Sequence, residues 1–122
     1  MTENFKPDFS FEISVDKRPY EIKCHINSRE TSFDFYVNRK DTEKIGNIIK
    51  HIKEYKGIQQ EIGELDENCY IYGGGPIDTR TTLSVKFLAK QITEFQIAKK
   101  NSEECFCVPN YILAEELQKI LK

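Results

Sequence analysis

Three runs of strict alternation between residues 9 and 38 constrain this chain more than any other feature. Phe9, Phe11, Ile13 and Val15 alternate with Ser10, Glu12 and Ser14. Tyr20, Ile22, Cys24 and Ile26 alternate with Glu21, Lys23 and His25, and Phe33, Phe35 and Val37 with Asp34, Tyr36 and Asn38. A period of two sends successive side chains to opposite faces, so each run reads as a strand with one buried and one wet face. The separating segments, 16–19 and 27–30, are short and rich in turn formers. They leave room only for hairpins, and the reading is a three-stranded antiparallel meander.

The period changes at Asp41. That residue is placed to cap a helix, Glu43 complements the helix dipole, and Gly57 follows as a stop, which predicts a helix over 42–56. Ile45, Ile48, Ile49, Ile52 and Tyr55 fall on one stripe of it. Isoleucine is a weak helix former on its own, so this helix is expected to depend on packing its stripe against the meander, with Gly46 permitting close approach to the sheet. Beyond it, Cys69–Tyr72 is a short aromatic strand. Residues 81–88 and 92–99 read as two further strands because Thr, Val, Phe and Ile dominate and no cap precedes them, although Val85, Leu88, Ile92 and Phe95 also fit helical spacing. Residues 105–108 form a short extended piece. Pro109-Asn110 opens a last helix, 110–121, whose stripe is Leu113, Leu117, Ile120 and Leu121. The order is β-β-β-α-β-β-β-α, with one more short strand allowed before the last helix. This is an α+β fold with antiparallel sheet, the helices packed on it, and residues 1–122 form one domain.

Composition excludes several functions. Eighteen basic residues face twenty acidic ones for a net charge of −2, with both signs mixed. That balance argues against nucleic-acid binding, which relies on a basic stripe. The opening residues lack the basic and apolar regions of a secretory signal, and no apolar run can span a bilayer. The expected location is therefore the cytoplasm. In a reducing compartment the four cysteines, at 24, 69, 105 and 107, read as small buried side chains rather than disulfides. Cys24 and His25 are neighbours on a strand and point to opposite faces, and the C-x-C at 105–107 lacks zinc spacing, so neither a metal nor another cofactor is expected. His25 and His51 belong to no recognisable catalytic signature, and no spacing singles out a carboxylate pair.

Two neighbouring features remain. Gly73, Gly74 and Gly75 follow the aromatic strand and take half of the chain's six glycines. With Arg80 they could hold an anion, but the loop lacks the Lys-Ser/Thr of a P-loop and the spaced glycines of a dinucleotide fingerprint. A bend between strands is the plainer reading. Just before it, Glu61, Glu64, Asp66 and Glu67 form the one locally acidic tract, and Tyr70 and Tyr72 follow. Carboxylates steer a basic partner and tyrosines supply contact area at low entropic cost, so these six residues are the candidate partner-binding set.

The chain as a whole resembles the small cytoplasmic immunity proteins of bacterial polymorphic toxin systems. The likeness lies in Phe-Ser-Phe-Glu-Ile-Ser-Val at 9–15, Ser-Phe-Asp-Phe-Tyr-Val at 32–37, the helix opening Asp-Thr-Glu-Lys-Ile, Leu-Ser-Val-Lys-Phe at 83–87, and the closing Leu-Ala-Glu-Glu-Leu-Gln-Lys-Ile-Leu. The resemblance implies a non-enzymatic protein that binds and blocks a cognate toxin; it assigns no site residue. With the acidic tract the expected partner is a basic toxin domain, and the chain is expected to be a monomer or homodimer. The alternatives are a small-molecule or enzymatic domain using the 73–80 loop, and a structural or oligomerising domain whose sheet edges pair between copies.

Overall fold

The computed structural model describes residues 7–29, 31–54, 65–74, 80–88 and 91–122, with the main chain alone over 65–72. The meander is present as β1 (Glu12–Lys17), β2 (Glu21–Asn27) and β3 (Ser32–Asn38), antiparallel and in that order. A 3₁₀ turn over Arg39–Asp41 leads into α1 (Thr42–Glu54). Four strands follow as a second antiparallel sheet in sequence order: β4 (Leu65–Gly74), β5 (Thr81–Leu88), β6 (Ile92–Ala98) and β7 (Glu103–Pro109). The chain closes with α2 (Asn110–Leu121). The architecture is α+β as expected; the ambiguous segment 85–99 is two strands, and the extended piece before the last helix is a full strand. Among the described residues, no helix is long and apolar enough to cross a membrane.

One apolar cluster joins all layers. It takes Ile13, Ile22, Cys24, Ile26, Phe35 and Val37 from the first sheet and Leu83, Val85, Phe95, Ile97, Phe106 and Val108 from the second. The helices add Ile45, Ile48, Ile49 and Ile52 from α1 and Leu113, Leu117 and Ile120 from α2. The nearest main-chain neighbours of α1 are α2 and β4 rather than the meander. Gly46 accordingly faces α2: a Cβ there would lie 3.6 Å from Leu121 Cδ1, an ordinary contact.

The first strand begins later than its alternation suggested. Phe9 is 64% exposed, and regular pairing starts at Glu12. The reason is Asp8, only 7% exposed, whose Oδ1 accepts hydrogen bonds from Ser10 N–H at 2.8 Å and Ser10 Oγ at 2.7 Å. Such a local side-chain turn competes with the strand ladder. The same carboxylate accepts the Arg29 amide at 2.9 Å, and the Asp8 amide donates to the Cys107 carbonyl at 2.7 Å. Asp8 thus ties the β2–β3 turn of one sheet to the last strand of the other. Burial acts to raise its pKa, but the hydrogen bonds from Ser10 and Arg29 and the nearby Arg29 charge outweigh it and hold the carboxyl below its ordinary value.

Helix α2 closes the outer edge of β1. Glu116 Oε1 accepts the Ile13 amide at 2.8 Å, Lys119 Nζ donates to the Ile13 carbonyl at 3.3 Å, and the two side chains pair at 2.7 Å. An edge strand covered in this way offers less backbone to a stray strand. Among the described residues, β3 and β4 each have one strand neighbour at an end of their sheets.

Candidate functional site

The predicted partner-binding residues divide according to position. Glu61 and Glu64 lie outside the described residues, as does Gly75. Asp66 and Glu67 fall in β4 where its register against β5 shifts, between the pairs Leu65–Leu88 and Cys69–Lys86. Three residues of β4, 66–68, face the single residue Phe87 of β5 across that interval, which makes it a bulge, a feature common on sheet edges. Positions 70 and 72 stand opposite Val85 and Leu83, both fully buried. Gly73 and Gly74 continue the strand opposite Thr82 and Thr81. Among the described residues, none lies within 4 Å of where a Cβ at Gly73 would stand. Arg80 is exposed just before β5.

The wet face of the first sheet brings together residues that the sequence scatters. Register sets Ser14 opposite His25 and His25 opposite Asp34, so the three lie in a row across adjacent strands. His25 Nδ1 hydrogen-bonds the Asp34 carboxylate, which also meets Lys23 Nζ at 3.9 Å. Nearby, Arg18 pairs with Asp16 at 3.1 Å and Glu21 at 3.5 Å, and its guanidinium carbon lies 5.8 Å from the centre of the Tyr36 ring. The row repeats the residue types of a nucleophile, base and orienting carboxylate. Among the described residues, however, no hydrogen bond joins Ser14 to His25, and Asp34 is shared with a lysine. What the geometry builds is a lattice of surface charge pairs. His51, the other histidine, is exposed on α1 with Nδ1 2.9 Å from the Asn47 carbonyl one turn back.

On β7, Cys105 and Cys107 share a face with Glu94 of β6, whose Oε2 accepts the Cys105 thiol at 2.9 Å. Partial burial first, and then the Glu94 carboxylate, push Cys105 up to about 12 and also raise Cys107. Burial alone raises Cys24 to about 12. Thiols held protonated at neutral pH are poor nucleophiles and poor metal ligands. Among the described residues, no group of three or more His, Cys, Asp or Glu is arranged to hold a metal ion.

A cleft of about 420 Å³ opens where the end of α1, the start of α2 and the β5–β6 connection meet. Its floor is Ile52 and Ala114, and its polar lining is Lys53, Gln91, Asn110, Tyr111, Glu115 and Gln118. Tyr111, Ala114, Glu115 and Gln118 recur at helical spacing, so α2 presents one stripe to the cleft. Sequence reading missed this site because its residues come from three separated segments. The available signal was Tyr111, a large aromatic on the polar side of the last helix, which is 68% exposed.

Behind the cleft, Asn110 is only 6% exposed, and its Oδ1 accepts the Thr93 hydroxyl at 2.6 Å within the core. Its Nδ2 donates to Gln91 Oε1 at 3.4 Å. Gln91 has φ of 61°, the left-handed region that non-glycine residues seldom occupy. The cleft rim therefore combines a buried polar pair with a backbone held in a costly conformation.

Comparison with protein-family models, with curated proteins and with solved structures finds no match to this chain.

Proposed function

We propose that this protein works in the bacterial cytoplasm by binding another protein through the β4 edge of its four-stranded sheet, as an immunity protein does when it neutralises its toxin. One observation carries the reading: the strand that bears Asp66, Glu67, Tyr70 and Tyr72 is one of the two terminal strands of that sheet, with β5 as its one strand neighbour among the described residues. A terminal strand can accept a strand from a partner. The stretch from Glu61 to Glu67 contains no lysine or arginine, so it attracts a basic surface toward that same edge. The bulge before Cys69 interrupts regular pairing where the carboxylates fall, which favours recognition of one partner over indiscriminate strand addition.

Charge reversal tests this directly. The chain carrying Glu64→Lys, Asp66→Lys and Glu67→Lys is compared with the unaltered protein for capture of a basic partner from lysate of the native cell at low salt. The expected result is loss of that partner, with association slowed by roughly tenfold or more and the difference shrinking as salt rises. Equal capture and equal association rates for the two proteins overturn the assignment.

A further inference from the structure

We propose that the cleft between α1 and α2 holds an extended, uncharged stretch of the partner's polypeptide, an inference that rests on the protein-binding function above. Its volume of about 420 Å³ lies within the range of ordinary ligand sites. Among the described lining residues neither charge prevails: one ammonium, Lys53, stands with one carboxylate, Glu115. The uncharged polar groups it offers are the carboxamides of Gln91 and Gln118, with Asn110 holding Gln91 from behind. A carboxamide carries a carbonyl acceptor and N–H donors, the same complement that a peptide group displays. The floor of Ile52 and Ala114 suits uncharged side chains, and Tyr111 adds a large exposed ring with few torsions to fix.

The strain at Gln91 points the same way. A non-glycine residue at φ 61° persists only where its surroundings hold it, and such residues gather at binding sites. Here the framework is the buried Thr93–Asn110 bond, from which Asn110 reaches Gln91. The Gln91 carboxamide is thereby set at the rim before any ligand arrives, which lowers the ordering cost of binding.

The probe is a phage-displayed library of random heptapeptides, panned against the full chain. Enriched peptides are then measured on the unaltered protein, on Tyr111→Ala and on Gln91→Gly. The expected outcome is enrichment of peptides poor in charged residues that bind each variant roughly tenfold or more weakly. Gln91→Gly keeps the backbone path without strain, so its melting temperature should hold or rise while peptide binding falls. This separates loss of contact from loss of fold. Failure to enrich peptides, enrichment of strongly charged ones, or equal binding to all three proteins overturns the inference. If β4 charge reversal abolishes partner capture while Tyr111→Ala leaves it untouched, the cleft assignment alone falls. If peptides occupy the cleft while charge reversal leaves capture unchanged, the edge assignment alone falls.

Discussion

The two sheets are built from the same alternating pattern, and they differ at the end of the second that meets the helices. In β2, Ile22, Cys24 and Ile26 are buried and the residues between them half-exposed, so one face is core and the other is water. Strands β5, β6 and β7 alternate likewise until they reach the α2 end. There Phe87 and Leu88, then Ile92 and Thr93, then Val108, Pro109 and Asn110, are buried in succession. Consecutive buried residues mean that both faces are covered. Polar groups caught in such a place must be satisfied internally, as Thr93 and Asn110 are, whereas those on the wet face of the first sheet pair among themselves in solvent. The contrast separates a surface that discharges its own charges from a rim where structure is invested in holding particular groups.

The largest expected effect tests whether the sheets share one core at all. Phe95 in β6 is fully buried and meets Phe11 edge-to-face at 6.1 Å, and Phe11 meets Phe106 of β7 at 5.5 Å. Phe35 is equally buried in the meander. Phe95→Ala and Phe35→Ala should each cost about 3–5 kcal/mol in urea unfolding, with one cooperative transition in both cases. Separate transitions would split the molecule into two independent halves and break the comparison.

Asp8, which links the halves, comes next. Its hydrogen bonds are made to a charged acceptor, and Asp8→Ala should cost about 2–3 kcal/mol at neutral pH. The folded pKa lies below the ordinary 3.8, so this contribution is complete above that value and is lost as pH falls through the depressed folded value. Unfolding curves of the unaltered protein and of Asp8→Ala should therefore converge below about pH 4. A gap that stays constant into that range would show that packing, and not the carboxylate, accounts for the loss.

Thr93→Val addresses the rim. It removes the hydroxyl that satisfies Asn110 Oδ1 while keeping a β-branched shape, and it should cost about 1–2 kcal/mol by leaving a buried acceptor unpaired. Adding Asn110→Leu to Thr93→Val should recover part of that loss, because replacing both partners by apolar groups removes the orphan. Recovery in stability together with loss of heptapeptide binding would sharpen the division between a structural surface and a functional rim.

The same contrast explains what could be read from the sequence. The meander was legible because Ile22, Cys24, Ile26, Phe35 and Val37 keep strict period two with a wet face opposite. The last helix was legible because Pro109 and Asn110 mark its start and four apolar residues its stripe. Segment 85–99 stayed ambiguous for a physical reason. Phe87-Leu88 and Ile92-Thr93 are buried pairs, and adjacent buried residues erase the alternation that distinguishes strand from helix. Phe9 misled because the Asp8–Ser10 turn ends the alternation through side-chain hydrogen bonds, with Pro7 just before it as the local signal. The cleft was illegible because Ile52, Gln91 and Tyr111 become neighbours only through sheet order. The Ser14–His25–Asp34 row likewise depends on register, which periodicity does not specify by itself.

The smallest effect belongs to that row. The His25 and Asp34 side chains are 41% and 40% exposed, and Lys23 is a second partner for the same carboxylate at 3.9 Å. Water competes for each of these groups, and holding them together costs side-chain entropy, so an exposed pair of this kind is worth at most about 1 kcal/mol. Asp34→Ala should therefore lower stability by less than about 1 kcal/mol, and less again in high salt, where surface charges are screened. Ser14→Ala should change it less still, since Ser14 makes no bond to His25. A cost above about 2 kcal/mol for Asp34→Ala would mean that the wet face is held as firmly as the rim. The distinction between the two sheets would then rest on burial alone, and the case for placing function at the α2 end would lose its contrast.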